Sequence, residues 1–410
     1  MFTPRDYQSE ISERGYKILN NQGILILSCQ VRTGKTFMSL MTCEKAKAKH
    51  VLFVTKKKAI GSIQDDYNTF NPAYTIEIIN YESIHKVKRK DFDVIICDES
   101  HTLGAYPKPS KRTKKLKELV KNKRLILMSG TITPESYSQI YHQLWISGNT
   151  PFRESNFYKW SKVFVNVKKV FRAYGKEAND YSDANYKMML PYLSKIMISY
   201  TQKQAGFTSQ IQEKILNVKM KPITYQIAKL LRKDKVIVGS NGGVILGDTP
   251  VKELSKITQI YSGTVKLEDG SNFIFDTSKA DYIKEYFKGQ KIGIFYVYKA
   301  ELEILKNVFG ENLTQDLDIF NSTDKNIALQ VVSGREGISL KNANSLVMYN
   351  IQHSAVSYWQ SRDRMTTKER QVNNVYWMFA KNGIEQSIYN TVKDKESYTT
   401  KHYDRVAISV

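Results

Sequence analysis

Cysteine is scarce in this chain: Cys29, Cys43 and Cys97 are the whole complement, and their spacing fits neither a zinc site nor a disulfide framework. No stretch approaches the unbroken apolar run that a membrane-spanning helix requires. The opening residues MFTPRDYQSE lack the basic, apolar and small-residue order of a secretory signal, so a reducing cytoplasm is the expected location. Neither a repeat of solenoid period nor a low-complexity tract is present, which argues against an array or a disordered scaffold. Acidic charge is also in deficit: 40 Asp plus Glu stand against 62 Lys plus Arg, for a formal net charge of +22. Such an excess favours a polyanionic partner through phosphate contacts and counterion release. The basic runs Lys56 to Lys58, Lys86 to Lys90 and Lys111 to Lys117 are each equally compatible with a solvated face.

What is present points to two α/β domains. The 410 residues, 41% hydrophobic and 25% charged, exceed one ordinary core and suit two of similar size. Short apolar runs at Ile24 to Leu27, Val51 to Thr55, Thr75 to Ile79, Val94 to Cys97 and Leu125 to Met128 alternate with amphipathic stretches, such as a helix over Thr36 to Lys47. That alternation predicts a parallel sheet covered by helices. From Pro151 the pattern fades into aromatic and basic sequence read as a mostly helical insertion, and SNGGVILGD over Ser240 to Asp248 reads as a Gly-rich turn region. A second alternating set begins near Lys279, with strands at Ile292 to Val297, Ile327 to Val332, Leu346 to Asn350 and Val375 to Phe379 and a helix over Ala300 to Phe309. The expected division is residues 1–150 for a first lobe, 151–215 for the insertion and 216–410 for a second lobe.

Directly after the first strand stands Cys29-Gln30-Val31-Arg32-Thr33-Gly34-Lys35-Thr36. A loop of this form wraps backbone N–H groups, here of Arg32, Thr33 and Gly34, around phosphates. Lys35 then reaches the β and γ oxygens and the Thr36 hydroxyl reaches Mg²⁺. The usual first glycine is missing, because Cys29 occupies its place. The apolar run Val94 to Cys97 ends in Asp98-Glu99-Ser100-His101, where one carboxylate can hold the metal and its neighbour polarise water. Asp98 is assigned to Mg²⁺ and Glu99 to the water. Each motif alone has an ordinary reading, a Gly turn before a helix or a pair of acids in a turn; together and in order they point to nucleotide hydrolysis.

At this point the chain resembles superfamily 2 helicases and translocases, in particular their Swi/Snf-like branch with its compact phage and bacterial members. Pro4 to Gln8 looks like the adenine-reading element, with Gln8 as base contact; Val51 to Ile60 is similar to motif Ia, and Asn80-Tyr81-Glu82 to the stretch before motif II. Asp98 to His101 matches a DExH box and Ser129-Gly130-Thr131 motif III. Ile292 to Tyr298 resembles motif IV, Val332 to Leu340 motif V, and Trp359-Gln360-Ser361-Arg362-Asp363-Arg364 motif VI. The resemblance implies two tandem RecA-like P-loop domains with ATP and Mg²⁺ in the cleft between them. It implies movement along DNA, whether single-stranded, duplex or branched, by a monomer in a bacterial or phage-infected cytoplasm. Gln360 and Arg364 would complete the site from the second lobe, with Arg362 and then Arg370 as the other candidate arginines, since the second family arginine falls on Thr367. Lys56, Tyr81, Ser333 and Arg335 would grip the strand, and His101 would link the two sites. No residue is marked as a strand-separating wedge; the aromatic stretch Phe157 to Trp160 is the segment put forward. A non-hydrolysing nucleic-acid binding module and an RNA helicase remain the competing readings.

Overall fold

The computed structural model describes residues 3–89, 91–171, 177–207, 210–239, 242–331, 339–367 and 372–394. They divide into two compact units, Met1–Phe207 and Thr208–Val410.

The first unit is built on strands β1 (Ile24–Cys29), β2 (His50–Thr55), β3 (Thr75–Asn80), β4 (Val94–Cys97) and β5 (Arg124–Ser129). A short antiparallel hairpin, β6 (Lys168–Phe171) and β7 (Glu177–Asp180), stands apart, and β8 (Met197–Tyr200) completes the main sheet. All pairings in that sheet are parallel, in the order β3-β2-β4-β5-β1-β8. Parallel strands need helical crossovers that cover both faces. Alternate residues of each strand accordingly enter two separate cores. Ile24, Ile26, Leu52, Val54, Ile95 and Leu125 face one side; Leu25, Leu27, Val51, Phe53, Ile96 and Ile126 face the other. The covering helices are α1 (Asp6–Gln22), α2 (Lys35–Lys45), α3 (Ile60–Phe70), α4 (Lys111–Val120), α5 (Ile140–Trp145), α6 (Phe157–Phe164) and α7 (Tyr186–Leu193). One strand, β5, separates β1 from β4, so the phosphate-loop strand and the carboxylate strand end side by side with a gap between them.

Residues 151–207 belong to this unit. Phe157 and Trp160 of α6 are buried among Tyr141, Phe152 and Phe164, and α7, the hairpin and β8 follow them in the chain. Phe157 and Trp160 are therefore core and are excluded as a wedge by burial, while Tyr158 between them is exposed. The basic helix α4 buries Thr113, Leu116 and Val120 and turns its lysines outward, with the Lys117 ammonium 3.4 Å from the centre of the Trp145 ring.

The second unit repeats the architecture. Strands β9 (Gln210–Val218), β10 (Val236–Val238), β11 (Val244–Leu246), β12 (Thr264–Lys266) and β13 (Asn272–Ile274) precede β14 (Ile292–Tyr296), β15 (Leu313–Thr314), β16 (Asn326–Gln330), β17 (Ser345–Met348) and β18 (Val372–Ala380). Six of them form a second all-parallel sheet in the order β15-β16-β14-β17-β18-β9; β10-β11 and β12-β13 are separate hairpins. The Gly-rich SNGGVILGD stretch contributes β11. Helices α8 (Pro222–Asp234), α9 (Pro250–Ile260), α10 (Ser278–Tyr286), α11 (Lys299–Phe309), α12 (Leu317–Ser322), α13 (Ala355–Arg362) and α14 (Glu385–Lys393) accompany them. Two parallel, helix-flanked sheets are the α/β architecture expected from the alternation. Among the described residues no helix is long and apolar enough to cross a membrane.

Candidate nucleotide site

The loop between β1 and α2 is shaped by two left-handed residues, Arg32 at φ 64° and Gly34 at φ 82°. Cys29 remains strand backbone and is fully buried, and burial pushes its thiol up to about 11. The missing first glycine thus leaves no strain at position 29; the turn is made three residues later, at a residue with a side chain. Gly34 has a double requirement, because its φ favours glycine and a Cβ there would come 2.1 Å from Gln8 Nε2. Gln8 is itself buried, and its Oε1 accepts the Arg5 N–H at 2.9 Å. The buried Thr33 hydroxyl donates to the Gln30 carbonyl at 2.8 Å, and Lys35 Nζ lies 3.4 Å from that same oxygen. Gly34 supplies no capping side chain, so the first N–H groups of α2 keep their capacity for an anion. Near Thr36 stands Asp66 of α3, a carboxyl that burial and the Asp65 charge push up to about 6.

At the end of β4 the Asp98 N–H continues the ladder to the Val54 carbonyl at 2.8 Å, and Asp98 Oδ2 accepts the Thr55 hydroxyl at 2.9 Å. Burial, reinforced by the adjacent Glu99 charge, raises Asp98, while Lys35 opposes the shift. Glu99 adopts φ 48°, which turns its side chain away from Asp98 and toward His101 and Ser129. Its Oε2 lies 3.2 Å from His101 Nδ1 and 3.4 Å from Ser129 Oγ, and His101 Nδ1 lies 3.0 Å from that same hydroxyl. Burial opposes ionisation of Glu99. The His101 bond and charge, with Lys35 and Lys56 nearby, outweigh it and hold the carboxyl below the ordinary range. Two adjacent acids are thus driven apart, one toward the neutral form and one toward the charged. Among the described residues no cluster of three or more His, Cys, Asp or Glu could hold a metal by itself. A hydroxyl at a helix start and one carboxylate at a strand end nevertheless fit a Mg²⁺ that takes its other ligands from phosphates and water.

Lys35, Thr36, Asp98 and Glu99 therefore share one end of one sheet, and the Lys35 charge is felt by both carboxyls. Thr55 and Gln143 were not singled out by sequence: the first fixes Asp98, and the second accepts the buried Ser100 hydroxyl at 2.9 Å and so holds the box from below. Thr55 could have been noticed as the last residue of a strand paired with β4; Gln143 carries no local signal. Tyr81 needs correction. Its ring is 2% exposed and its hydroxyl donates to the Asp98 carbonyl at 2.5 Å, so it braces the carboxylate turn and offers no stacking face to a nucleic acid. Lys56 is half-buried at the end of β2, where its charge reaches Glu99.

In the second unit α13 and the turn Asp363–Met365 carry the stretch that resembles motif VI. The Arg364 carbonyl accepts the Leu340 N–H at 3.0 Å, which ties this turn to the end of the motif V stretch. Arg362 instead faces Glu213 of β9 at 3.6 Å and stacks over Tyr358. Ser333, Arg335 and Arg370 lie outside the described residues, as does the side chain of Gln360.

No curated protein is significantly similar to the chain. Two solved structures from Sulfolobus solfataricus resemble it. The SWI2/SNF2 ATPase core in complex with dsDNA has 13% identity and a TM-score of 0.45, covering 99% of this chain and 93% of that one. The SWI2/SNF2 ATPase core domain has 14% identity and a TM-score of 0.43, covering 98% and 92%. Residues 1–134 match the family described as "Type III restriction enzyme, res subunit", a span that holds the phosphate loop, the Asp98–His101 box and the Ser129–Thr131 turn. That match covers the amino-terminal third of the chain.

Proposed function

We propose that the chain is an ATP-driven DNA translocase or helicase whose hydrolysis is stimulated by the nucleic acid. The observation that carries this reading is the shared end of β1 and β4, where the Lys35 ammonium acts on a raised Asp98 and a charged Glu99. Lys35 and the N–H groups of the loop would hold the β- and γ-phosphates. Thr36 and Asp98 would hold Mg²⁺, which when bound neutralises charge on the phosphate oxygens. Glu99, held ionised beside His101, would orient and polarise the attacking water. Arg364, with Gln360, would enter from the second unit and stabilise charge on the transferring phosphoryl group. Lys56, Ser333 and Arg335 remain the proposed strand contacts.

ATP would favour the closed arrangement of the units only by contacts it makes better there, and hydrolysis would remove them. Repeated closure while the strand is gripped in turn by each unit would give steps. The choice of DNA over RNA rests on stretches that resemble the Swi/Snf-like branch, such as PFRESNFYKW and SKADYIKEYF, and phosphate grips by themselves carry little base information. ATPase rates with single-stranded, duplex and branched DNA and with RNA test the reading. DNA should raise turnover strongly, and Lys35→Ala should abolish it. Stimulation by RNA alone would move the assignment to an RNA motor, and tight binding without turnover to a non-hydrolysing module.

A further inference from the structure

The amino half of the phosphate loop is held by residues about as far away in sequence as the first unit allows. Strand β8 pairs with β1 up to Cys29 and Tyr200, and the ladder runs one step further, from the Gln30 N–H to the Tyr200 carbonyl at 2.9 Å. Beyond that point Gln202 takes over. Its N–H donates to Gln30 Oε1 at 2.7 Å and its Nε2 donates to the Val31 carbonyl at 3.0 Å. The turn that carries Gln202 is closed by Gln204, whose Oε1 accepts both the N–H and the hydroxyl of Thr201 at 2.9 Å. The Tyr200 ring stacks on Tyr7 with centres 4.9 Å apart, and the Tyr7 hydroxyl donates to the Thr33 carbonyl at 3.1 Å. Both halves of the loop thus lean on one turn, directly at Gln30 and Val31 and through one aromatic ring at Thr33. That turn is the last piece of the first unit before the chain enters the second.

The grip on Val31 has a directional consequence. In a trans peptide the C=O and the following N–H point opposite ways. A donor that fixes the Val31 carbonyl therefore also aims the Arg32 N–H away from Gln202. Arg32 is the left-handed residue at which this loop turns in the absence of the first glycine. We infer that Gln202 is a positioning residue for the nucleotide: its carboxamide sets the Arg32 N–H of the phosphate loop, and through it the connector between the units registers an occupied loop. The inference rests on the nucleotide reading of the loop given above.

The test uses the full chain and mant-ADP with Mg²⁺ as the probe. Gln202→Glu keeps the size of the side chain but replaces the donor with an oxygen facing the Val31 carbonyl. It should weaken mant-ADP binding about two- to tenfold, the worth of one hydrogen bond, with the chain still folded in a thermal melt. Gln202→Lys restores a donor and should recover most of the affinity. In hydrogen exchange, mant-ADP should slow the amides of residues 200–207 in the wild type and not in Gln202→Glu. Wild-type affinity and wild-type protection in Gln202→Glu, alongside a wild type that binds and a Lys35→Ala variant that does not, would overturn the inference and leave the nucleotide reading standing. A wild type that binds no mant-ADP would overturn both.

Discussion

Arg362 and Glu213 form an ion pair inside the second unit, Nη1 to Oε2 at 3.6 Å, and the same carboxylate accepts the hydroxyls of Tyr358 at 2.7 Å and Tyr389 at 3.1 Å. The other oxygen accepts the Trp377 indole N–H at 3.3 Å, and Tyr358 stacks on Trp377 with ring centres 5.3 Å apart. Helix α13 is thereby anchored to β9 and β18, and the turn bearing Arg364 leaves from its end.

The two arginines of motif VI should therefore separate on substitution. Arg364→Ala should reduce nucleic-acid-stimulated ATP hydrolysis by about a thousandfold or more, the range for an arginine that serves phosphoryl transfer. Arg362→Ala should mainly lower the stability of the second unit, by about 2 kcal/mol for a hydrogen-bonded, partly buried charge, and spare most of the turnover. Steady-state ATPase assays with thermal melts of both variants decide the matter. The opposite pattern would make Arg362 the transferring-group contact.

Lys279 and Glu385 form a second ion pair, at 2.9 Å, with neither side chain exposed. Glu385 Oε1 also accepts the Ala380 N–H at 3.2 Å, so the pair ties α10 to the start of α14 and the end of β18. Removing one partner of a buried pair strands the other charge in the core. Lys279→Met or Glu385→Leu alone should destabilise the second unit by about 3 to 5 kcal/mol, whereas the double variant should recover most of that. Equilibrium unfolding in urea would show it. Additive losses in the double variant would mean that the ion pair is not what makes the single changes costly.

The parts of this chain that could be read in advance are those where chemistry and sequence are adjacent. Strands buried on both faces, such as Ile24 to Leu27 and Val94 to Cys97, appear as unbroken apolar runs. The phosphate loop and the Asp98–Glu99 pair follow them at once. Strand β8 has four residues within an aromatic and basic stretch, and β9 alternates exposed and half-buried residues along most of its length at a sheet edge. Neither shows the apolar run that marks a central strand. Site residues contributed from afar were equally silent, since a glutamine in a turn, Gln202, or a threonine closing a strand, Thr55, looks like any other. The resemblance put Tyr81 among the strand contacts, whereas its ring is buried and its hydroxyl donates to the Asp98 carbonyl, a placement that no local pattern announces.

His142 supplies a pH prediction. It is 2% exposed, its Nδ1 lies 2.6 Å from the Ala105 carbonyl, and burial, with the Lys117 charge, lowers it to about 4. Its folded value lies below the unfolded value near 6.5, so the unfolded chain takes up the proton first. The stabilisation is complete above about pH 6.5 and is lost as pH falls toward 4. Melting temperatures of wild type and His142→Phe, followed from pH 7.5 to 4.5, should converge as pH falls, because the variant has no such proton to take up. Parallel curves would assign the acid sensitivity to other groups.

The Ser129 hydroxyl joins the carboxylate box to the turn after β5: it lies 3.0 Å from His101 Nδ1 and donates to the Thr131 carbonyl at 2.8 Å. His101 in turn lies 3.2 Å from Glu99 Oε2, so a shift of the Ser129–Thr131 turn alters the surroundings of the charged carboxylate without touching Lys35 or Thr36. Ser129→Ala should therefore leave nucleotide affinity close to wild type, yet lower the factor by which DNA raises ATP hydrolysis about ten- to a hundredfold, the rate equivalent of one hydrogen bond to a charged group. Substituting His101 by Gln, which keeps a polar group near Glu99 but no imidazole, should give a similar loss of stimulation. Because both residues act on the same carboxylate, the double variant should be little worse than either alone. Stimulation ratios measured at saturating ATP with and without DNA are the readout. An undiminished ratio in Ser129→Ala would show that the turn after β5 does not carry the nucleic-acid signal to Glu99.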